Sequence, residues 1–297
     1  MNAVNYSQTI ARELVHKRAI GEVLVTAVTG QQQGWICHAQ LPRQHHFHTD
    51  TTACQRAYHD PLLVMEAFRQ ACIAASHLFY DVPMDARHTV RYYEFSVVDL
   101  TALRRDTTAL NLEFNIAVRK EFRQGLEVGA VVTHDGTKVM EFTAAFGWMS
   151  GTQWESFRDG ASWEPVPSAL PAEPARVGRT DPRNVVIGEP TGTADGASAP
   201  IVVDLGHPTI FDHPLDHLPG GLIIEACRQL ALSVMGPRAP SVTGLASLRC
   251  DYTSFTELDA VSTVTMAQAP EDDMTFRGAV TQSGQTRAAI ELTFSAE

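Results

Sequence analysis

Lysine is nearly missing from this chain: Lys17, Lys120 and Lys138 are all there is, and arginine carries the remaining positive charge. Acid outweighs base, giving a net charge of −11, and without a basic footprint a nucleic-acid partner is not expected. Cysteine is scarce and odd in number (Cys37, Cys54, Cys72, Cys227, Cys250), with no C-x-x-C. That count fits reduced thiols better than a disulfide framework. The opening stretch MNAVNYSQTIARELVHKR lacks the apolar h-region of a secretory signal. No apolar run approaches the roughly 20 residues that cross a bilayer, so a cytoplasmic protein without a membrane partner is expected. A nucleophile elbow, a dinucleotide fingerprint and a P-loop are all lacking, which argues against a covalent serine mechanism and against any nucleotide cofactor.

What is there is a repeat. With 297 residues the chain can bury two cores of about 130 residues each. The stretch 159–200 carries Pro165, Pro167, Pro171, Pro174, Pro182, Pro190 and Pro200, a density that resists helix and central strand alike. It is read as a linker between an N-terminal unit at 14–150 and a C-terminal unit at 176–297, whose start lies somewhere in 176–200. Each half holds one long apolar segment: HDPLLVMEAFRQACIAASHLF from His59 and DHLPGGLIIEACRQLALSVMG from Asp216. Both contain Glu-Ala-x-Arg-Gln, as Glu66, Ala67, Arg69, Gln70 and as Glu225, Ala226, Arg228, Gln229. Pro61 and Pro219 stand where helices start, so each segment predicts one buried helix.

Strand-like runs follow each helix: YYEFSVVDL, ALNLEFNIAVRKE, LEVGAVVTHDG and KVMEFTAAFGWM in the first half, then LRCDYTSF, AVSTVTMAQA, MTFRGAVTQSG and TRAAIELTFS in the second. Strand candidates precede each helix too: EVLVTAVTG, GWICHAQL and APIVVDLG. One helix among many strands cannot make a parallel α/β sheet, which needs a crossover for every pair. The expected class is α+β, a tandem hotdog in which two curved antiparallel sheets each wrap a long central helix.

A carboxylate and a guanidinium repeated on two buried helices can supply a proton acceptor and an anion ligand. Glu66 and Glu225 are candidate bases, since a buried carboxylate has a raised pKa unless it is paired. Arg69 and Arg228, three residues on and on the same face, are candidate phosphate ligands, with Gln70 and Gln229 beside them. The plain alternative is an intrahelical Glu–Arg pair that only solvates itself. Histidines cluster upstream, His45, His46, His48 and His59 in one half and His207, His213 and His217 in the other. His45, His59, His213 and His217 are taken as acid–base candidates, against the alternative of loop hydrogen bonding. No metal is expected, because neither repeat shows a standard zinc spacing. Cys72 and Cys227 are expected in the core. Arg87, Arg91 and the Asp99-Leu-Thr-Ala-Leu-Arg-Arg stretch are basic spots that could steer an acidic partner, or plain solvated surface.

The run Phe211-Asp212-His213-Pro214-Leu215-Asp216-His217-Leu218-Pro219-Gly220 followed by Glu225-Ala226 resembles the active-site segment of hotdog hydroxyacyl-carrier-protein dehydratases. Its first histidine is two residues nearer the Pro-Gly. A closer resemblance is to the A-factor (γ-butyrolactone) biosynthesis family. It is carried by Val15-His16, by Pro42-Arg43-Gln44-His45-His46-Phe47, and by His59-Asp60-Pro61-Leu62-Leu63-Val64 with Glu66 and Arg69-Gln70. In the second half it is carried by Gly206-His207-Pro208 and the run above. The resemblance implies an acyltransferase that moves a β-ketoacyl group from an acyl carrier protein (or acyl-CoA) thioester to dihydroxyacetone phosphate, with no cofactor. It implies a signal-molecule pathway of γ-butyrolactone, butenolide or furan type, and leaves a homodimer open. The alternatives are a hotdog thioesterase or dehydratase, and a non-catalytic acyl-ligand-binding protein.

Overall fold

The computed structural model describes residues 6–192 and 196–296. The first five residues of the opening stretch and 193–195 of the proline-rich stretch lie outside them. The chain divides into two compact units, unit 1 being Met1–His48 with Tyr58–Asp159, and unit 2 being Thr49–Ala57 with Gly160–Glu297.

Helix α1 (Pro61–Phe79) is the centre of unit 1. Proline at its first position needs no N–H there, and the Asp60 carboxylate accepts from Leu62 N at 3.0 Å, capping the start. Apolar residues surround the helix, with Leu63, Val64, Phe68 and Ala71 all buried, the pattern of a core helix. Phe68 stacks on Phe142 at 4.8 Å between ring centroids. The 19 residues of α1 are long and apolar enough for a membrane span, contrary to the sequence expectation, but they lie mostly buried inside unit 1 and carry Glu66 and Arg69.

The strands of unit 1 are β1 (Val25–Gln31), β2 (Gly34–Leu41), β3 (Arg87–Val97), β4 (Leu110–Phe122), β5 (Gly125–His134) and β6 (Thr137–Met149). They run antiparallel in the order β1-β2-β4-β5-β6-β3, and α1 packs on β1 and β2. A short helix α2 (Gly151–Phe157), started by a capping box of Ser150 and Gln153, follows β6.

Unit 2 repeats the plan. Its strands are β7 (Thr191–Gly192), β8 (Gly196–Pro200), β9 (Val242–Tyr252), β10 (Ser262–Ala269), β11 (Asp272–Gln282) and β12 (Gln285–Ala296), and its helix is α3 (Gly220–Met235). The order β7-β8-β10-β11-β12-β9 matches that of unit 1 strand for strand, and α3 packs on β8, β10, β11 and β12. The hairpins at Asp135-Gly136 and Ser283-Gly284 place both residues at positive φ, the two-residue turn whose twist suits antiparallel strands.

The proline-rich stretch differs from a linker. Val177, Arg179 and Ile187 in it are buried, Ile187 bridges to Ile201, and β7 and β8 fall at its end. Prolines sit at the first positions of the 3-10 turns Pro174–Val177 and Pro182–Asn184, where a missing N–H costs nothing. Unit 2 also takes in Thr49–Ala57, which in sequence precedes α1.

Candidate active site

Both helices place their Glu-x-x-Arg-Gln one to two turns in, and 3.6-residue periodicity puts the three side chains on one face. In unit 1, Arg69 grips Glu66 through two bonds, Nε to Oε2 at 2.8 Å and Nη2 to Oε1 at 2.9 Å. Lys17 Nζ lies 3.1 Å from Glu66 Oε1, and Gln70 Nε2 donates to the same oxygen at 2.9 Å. Gln70 also ties down the chain after Lys17, donating to the Glu22 carbonyl at 2.8 Å and accepting from Leu24 N at 2.9 Å.

Unit 2 builds the same group. Arg179 donates to Glu225 Oε1 through Nη2 at 2.6 Å, Arg228 Nε donates to Oε2 at 2.9 Å, and Gln229 Nε2 donates to Oε1 at 2.6 Å. Gln229 donates to the Asn184 carbonyl at 2.8 Å and accepts from Val186 N at 2.9 Å. Lys17, Glu22 and Leu24 therefore correspond to Arg179, Asn184 and Val186, at the same intervals along the chain. Arg179 also donates to the Asp50 carbonyl at 2.8 Å. The Asp50 carboxylate accepts from Thr180, from Asp181 N and, at 2.8 Å, from Asn184 Nδ2.

These contacts reverse the expectation for the carboxylates. Burial alone would raise Glu66, but Arg69, Lys17 and Gln70 outweigh it and hold its carboxyl well below the usual range. Glu225 is likewise lowered against burial, by Arg179 and Arg228 and by bonds from Arg179 and Gln229. A carboxylate held so firmly ionised is a weak proton acceptor. The two groups differ in access. The Glu66 and Arg69 side chains are 19% and 31% exposed, whereas Glu225 and Arg228 are 1% and 4% exposed.

The predicted histidines separate in the same way. His45 Nδ1 accepts from Phe47 N and His48 N at 3.2 and 3.3 Å, which puts the proton on Nε2, 3.4 Å from Glu22 Oε1. Its counterpart His207 accepts from Thr209 N and Ile210 N and sets Nε2 3.2 Å from Asn184 Oδ1. With both nitrogens engaged, His45 and His207 organise loops, the alternative weighed for them. His59 is 1% exposed and burial lowers its pKa to about 4, so it is a neutral core group rather than a ready base. His213 is partly exposed, 3.6 Å from Asp212. His217 has the geometry of a base. Asp216 Oδ1 lies 2.6 Å from its Nδ1, fixing the proton there and leaving Nε2 to accept. Cys72 and Cys227 are buried, which pushes both thiols well up and makes them core residues.

A family profile described as the A-factor biosynthesis hotdog domain matches residues 3–137 and again 161–296, nearly the whole chain. This chain belongs to that family. A relative from Streptomyces virginiae is 29% identical over 270 residues, 85% of each chain, and one from Streptomyces griseus is 30% identical over 244 residues, 77% of each. Both are named 2-oxo-3-(phosphooxy)propyl 3-oxoalkanoate synthase. Among solved structures, the 12:0-ACP thioesterase from Umbellularia californica superposes with a TM-score of 0.53 at 10% identity, covering 88% of this chain and 98% of that one. A putative oleoyl thioesterase from Lactobacillus plantarum gives 0.56 at 9% identity, covering 89% and 97%. At that identity they speak for the fold alone, which is the tandem hotdog.

Lys17, Arg179, Asn184, Asp50 and Asp216 were not among the site candidates that the sequence offered in this A-factor family member, although Asp216 stands in the quoted motif. Lys17 directly follows the Val15-His16 pair, a signal that was available. Arg179 sits among prolines that read as linker, and nothing local marks it.

Proposed function

We propose that this chain is an acyltransferase. It moves a β-ketoacyl group from the thioester of an acyl carrier protein or of coenzyme A to the free hydroxyl of dihydroxyacetone phosphate. The hydroxyl oxygen bonds to the acyl carbon, the C–S bond breaks, and the hydroxyl proton ends on the departing thiol. The product is the phosphooxy-oxopropyl ester after which the relatives are named. It lies on a cytoplasmic route to γ-butyrolactone, butenolide or furan signals.

The observation that carries the site assignment is the contrast in access between the two Glu–Arg groups. The Arg69 side chain is 31% exposed, and a planar guanidinium grips phosphate oxygens in pairs. Arg69 is therefore the phosphate ligand, with Gln70 fixing the backbone behind it. Glu66 acts through Arg69 by holding the guanidinium in place, rather than as the base. Glu225, Arg228 and Gln229 form the sealed copy and hold unit 2 together. Within unit 2 taken by itself, His217, oriented by Asp216, is the candidate acid–base group.

The test is incubation of the purified protein with a β-ketoacyl thioester, with and without dihydroxyacetone phosphate. Thiol release that depends on the phosphate, together with the ester product, is expected. Release of the free acid at the same rate in both makes the protein a thioesterase. Loss of water from a 3-hydroxyacyl thioester makes it a dehydratase. Acyl retention without turnover makes it a binding protein.

A further inference from the structure

Three imidazoles of unit 1 converge without any role in the proposed transfer. His16 ends the 3-10 turn Arg12–Val15, His77 lies in the last turn of α1, and His88 lies on β3. One ring nitrogen from each lies within 4.8 Å of the others, and the three ring centroids are 4.9, 5.0 and 5.3 Å apart.

The bonds behind two of the rings fix where their protons sit. His77 Nδ1 lies 2.8 Å from the Val82 carbonyl, which only accepts, so Nδ1 carries the proton and Nε2 is a bare lone pair. That Nε2 lies 2.9 Å from His16 Nε2. Ser76 gives its hydroxyl proton to the Ile73 carbonyl at 2.6 Å and so accepts from His88 Nε2 at 2.7 Å. The bare nitrogen of His88 is then Nδ1, which is buried and has no hydrogen-bond partner among the described residues. An N–H turned outward to a carbonyl or hydroxyl and a lone pair left over is how metal-ligating histidines are held.

The fold does not require these rings. In unit 2 the corresponding positions are Gly178 at the end of the matching turn, Gly236 at the end of α3, and Thr243 on β9. His16 also occupies the left-handed region, φ 55°, a conformation that costs a non-glycine residue about 1 kcal/mol or more. Gly178 takes the same region at φ 75°, where a Cβ would stand 2.6 Å from Leu232 Cδ1. One repeat thus keeps glycine at a position where the other carries a ligand at a cost.

We infer that His16, His77 and His88 form a three-imidazole site for a divalent transition-metal ion of the zinc class, with its partly exposed side left for water or another oxygen ligand. Zinc–nitrogen bonds of about 2.0–2.1 Å set ligand nitrogens about 3.3 Å apart in a tetrahedral site. The His16–His77 pair needs to open by a few tenths of an ångström and His88 to close by a side-chain rotation. Three neutral ligands with one open position are an established zinc arrangement. The charge of Arg69, which acts on His88, is matched by Glu66. A competing trio, Glu22, His45 and His46, is a weaker site because two backbone N–H groups donate to His45 Nδ1, which leaves the ring proton on Nε2, the nitrogen that faces Glu22.

The test uses the full chain, stripped by chelator and titrated with Zn²⁺ in a calorimeter, then with Co²⁺ in a visible spectrometer. One zinc per chain and the absorption bands of four-coordinate cobalt are expected. His77→Ala and His88→Ala each weaken binding at least 100-fold. His16→Gly restores the residue of unit 2, folds with its backbone relieved, and weakens binding as much. No stoichiometric zinc in the native chain overturns the inference. So does zinc affinity in all three variants equal to that of the native chain, or binding lost only in His46→Ala. The result is independent of whether acyl transfer occurs.

Discussion

Unit 1 and unit 2 assemble the same group, a carboxylate held by two cations and one amide, and then expose it to different degrees. In unit 2 both arginines are sealed with Glu225, and Gln229 and Asn184 lock the neighbouring chain. In unit 1 lysine replaces the remote arginine, Glu22 replaces Asn184, and the Glu66–Arg69 pair reaches the surface. The lesson is that a duplicated ion group is left open or sealed according to what covers it. The residues of the motif itself are identical.

The sharpest way to break this contrast is to remove each carboxylate in turn. Glu225→Leu strands two buried guanidinium groups and is expected to cost about 3–5 kcal/mol of unfolding free energy. Glu66→Leu should cost clearly less, because water reaches Arg69. Equal losses in urea denaturation would mean that the exposure difference has no energetic meaning.

Next in size is the effect on turnover. Arg69→Ala is expected to lower kcat/KM for transfer about 100-fold, about 2.7 kcal/mol of transition-state binding, while Tm barely moves. Arg228→Ala should do the reverse, lowering Tm before activity. Near-normal transfer by Arg69→Ala would remove the phosphate assignment.

Asp50 sharpens the comparison at smaller amplitude. Its carboxylate accepts from four donors on three residues of unit 2, so Asp50→Ala is expected to cost about 1–3 kcal/mol, read by thermal unfolding. Its pKa is lowered, with burial opposing and Thr180, Asn184 and Asp181 N prevailing. Glu66, Glu225 and Asp50 are therefore all more acidic folded than unfolded. Their contribution is complete above the unfolded carboxylate pKa, near 4, and is lost as pH falls through the lower folded values. Stability should drop in acid below about pH 4.5, and Glu66→Gln should flatten part of that drop.

The smallest effect near neutrality belongs to His59, whose pKa burial lowers to about 4 from the ordinary imidazole value of 6.5. Between those values the unfolded chain takes up a proton that the folded chain refuses. Stability therefore falls with falling pH over that window, by at most about 1.4 kcal/mol per pH unit. His59→Gln should remove this slope in denaturation curves at pH 6.5 and 4.5. An unchanged slope would show that His59 has room to be charged in place.

Much of this was legible before any coordinates. The doubled Glu-Ala-x-Arg-Gln, the prolines before the helices and the alternating strands led to two wrapped helices. The Glu–Arg pairing followed from spacing alone. The pKa expectation failed for a physical reason: it turned on whether the carboxylate was paired, and the second cation of each group comes from a turn remote in sequence. The histidines misled for a similar reason. His45 looks like a base by type, but backbone amides two and three residues on consume its lone pair, as they do at the corresponding His207. His16, His77 and His88 share no spacing that could announce them.

By itself the sequence determined which stretches could bury themselves as helices, how often the plan recurs, and which side chains share a helical face, because those properties follow from local periodicity. Tertiary structure decided which second cation meets each glutamate, which copy stays open, and which imidazoles keep a lone pair. Those outcomes depend on what covers a side chain and which distant backbone group it meets, and no local pattern carries that.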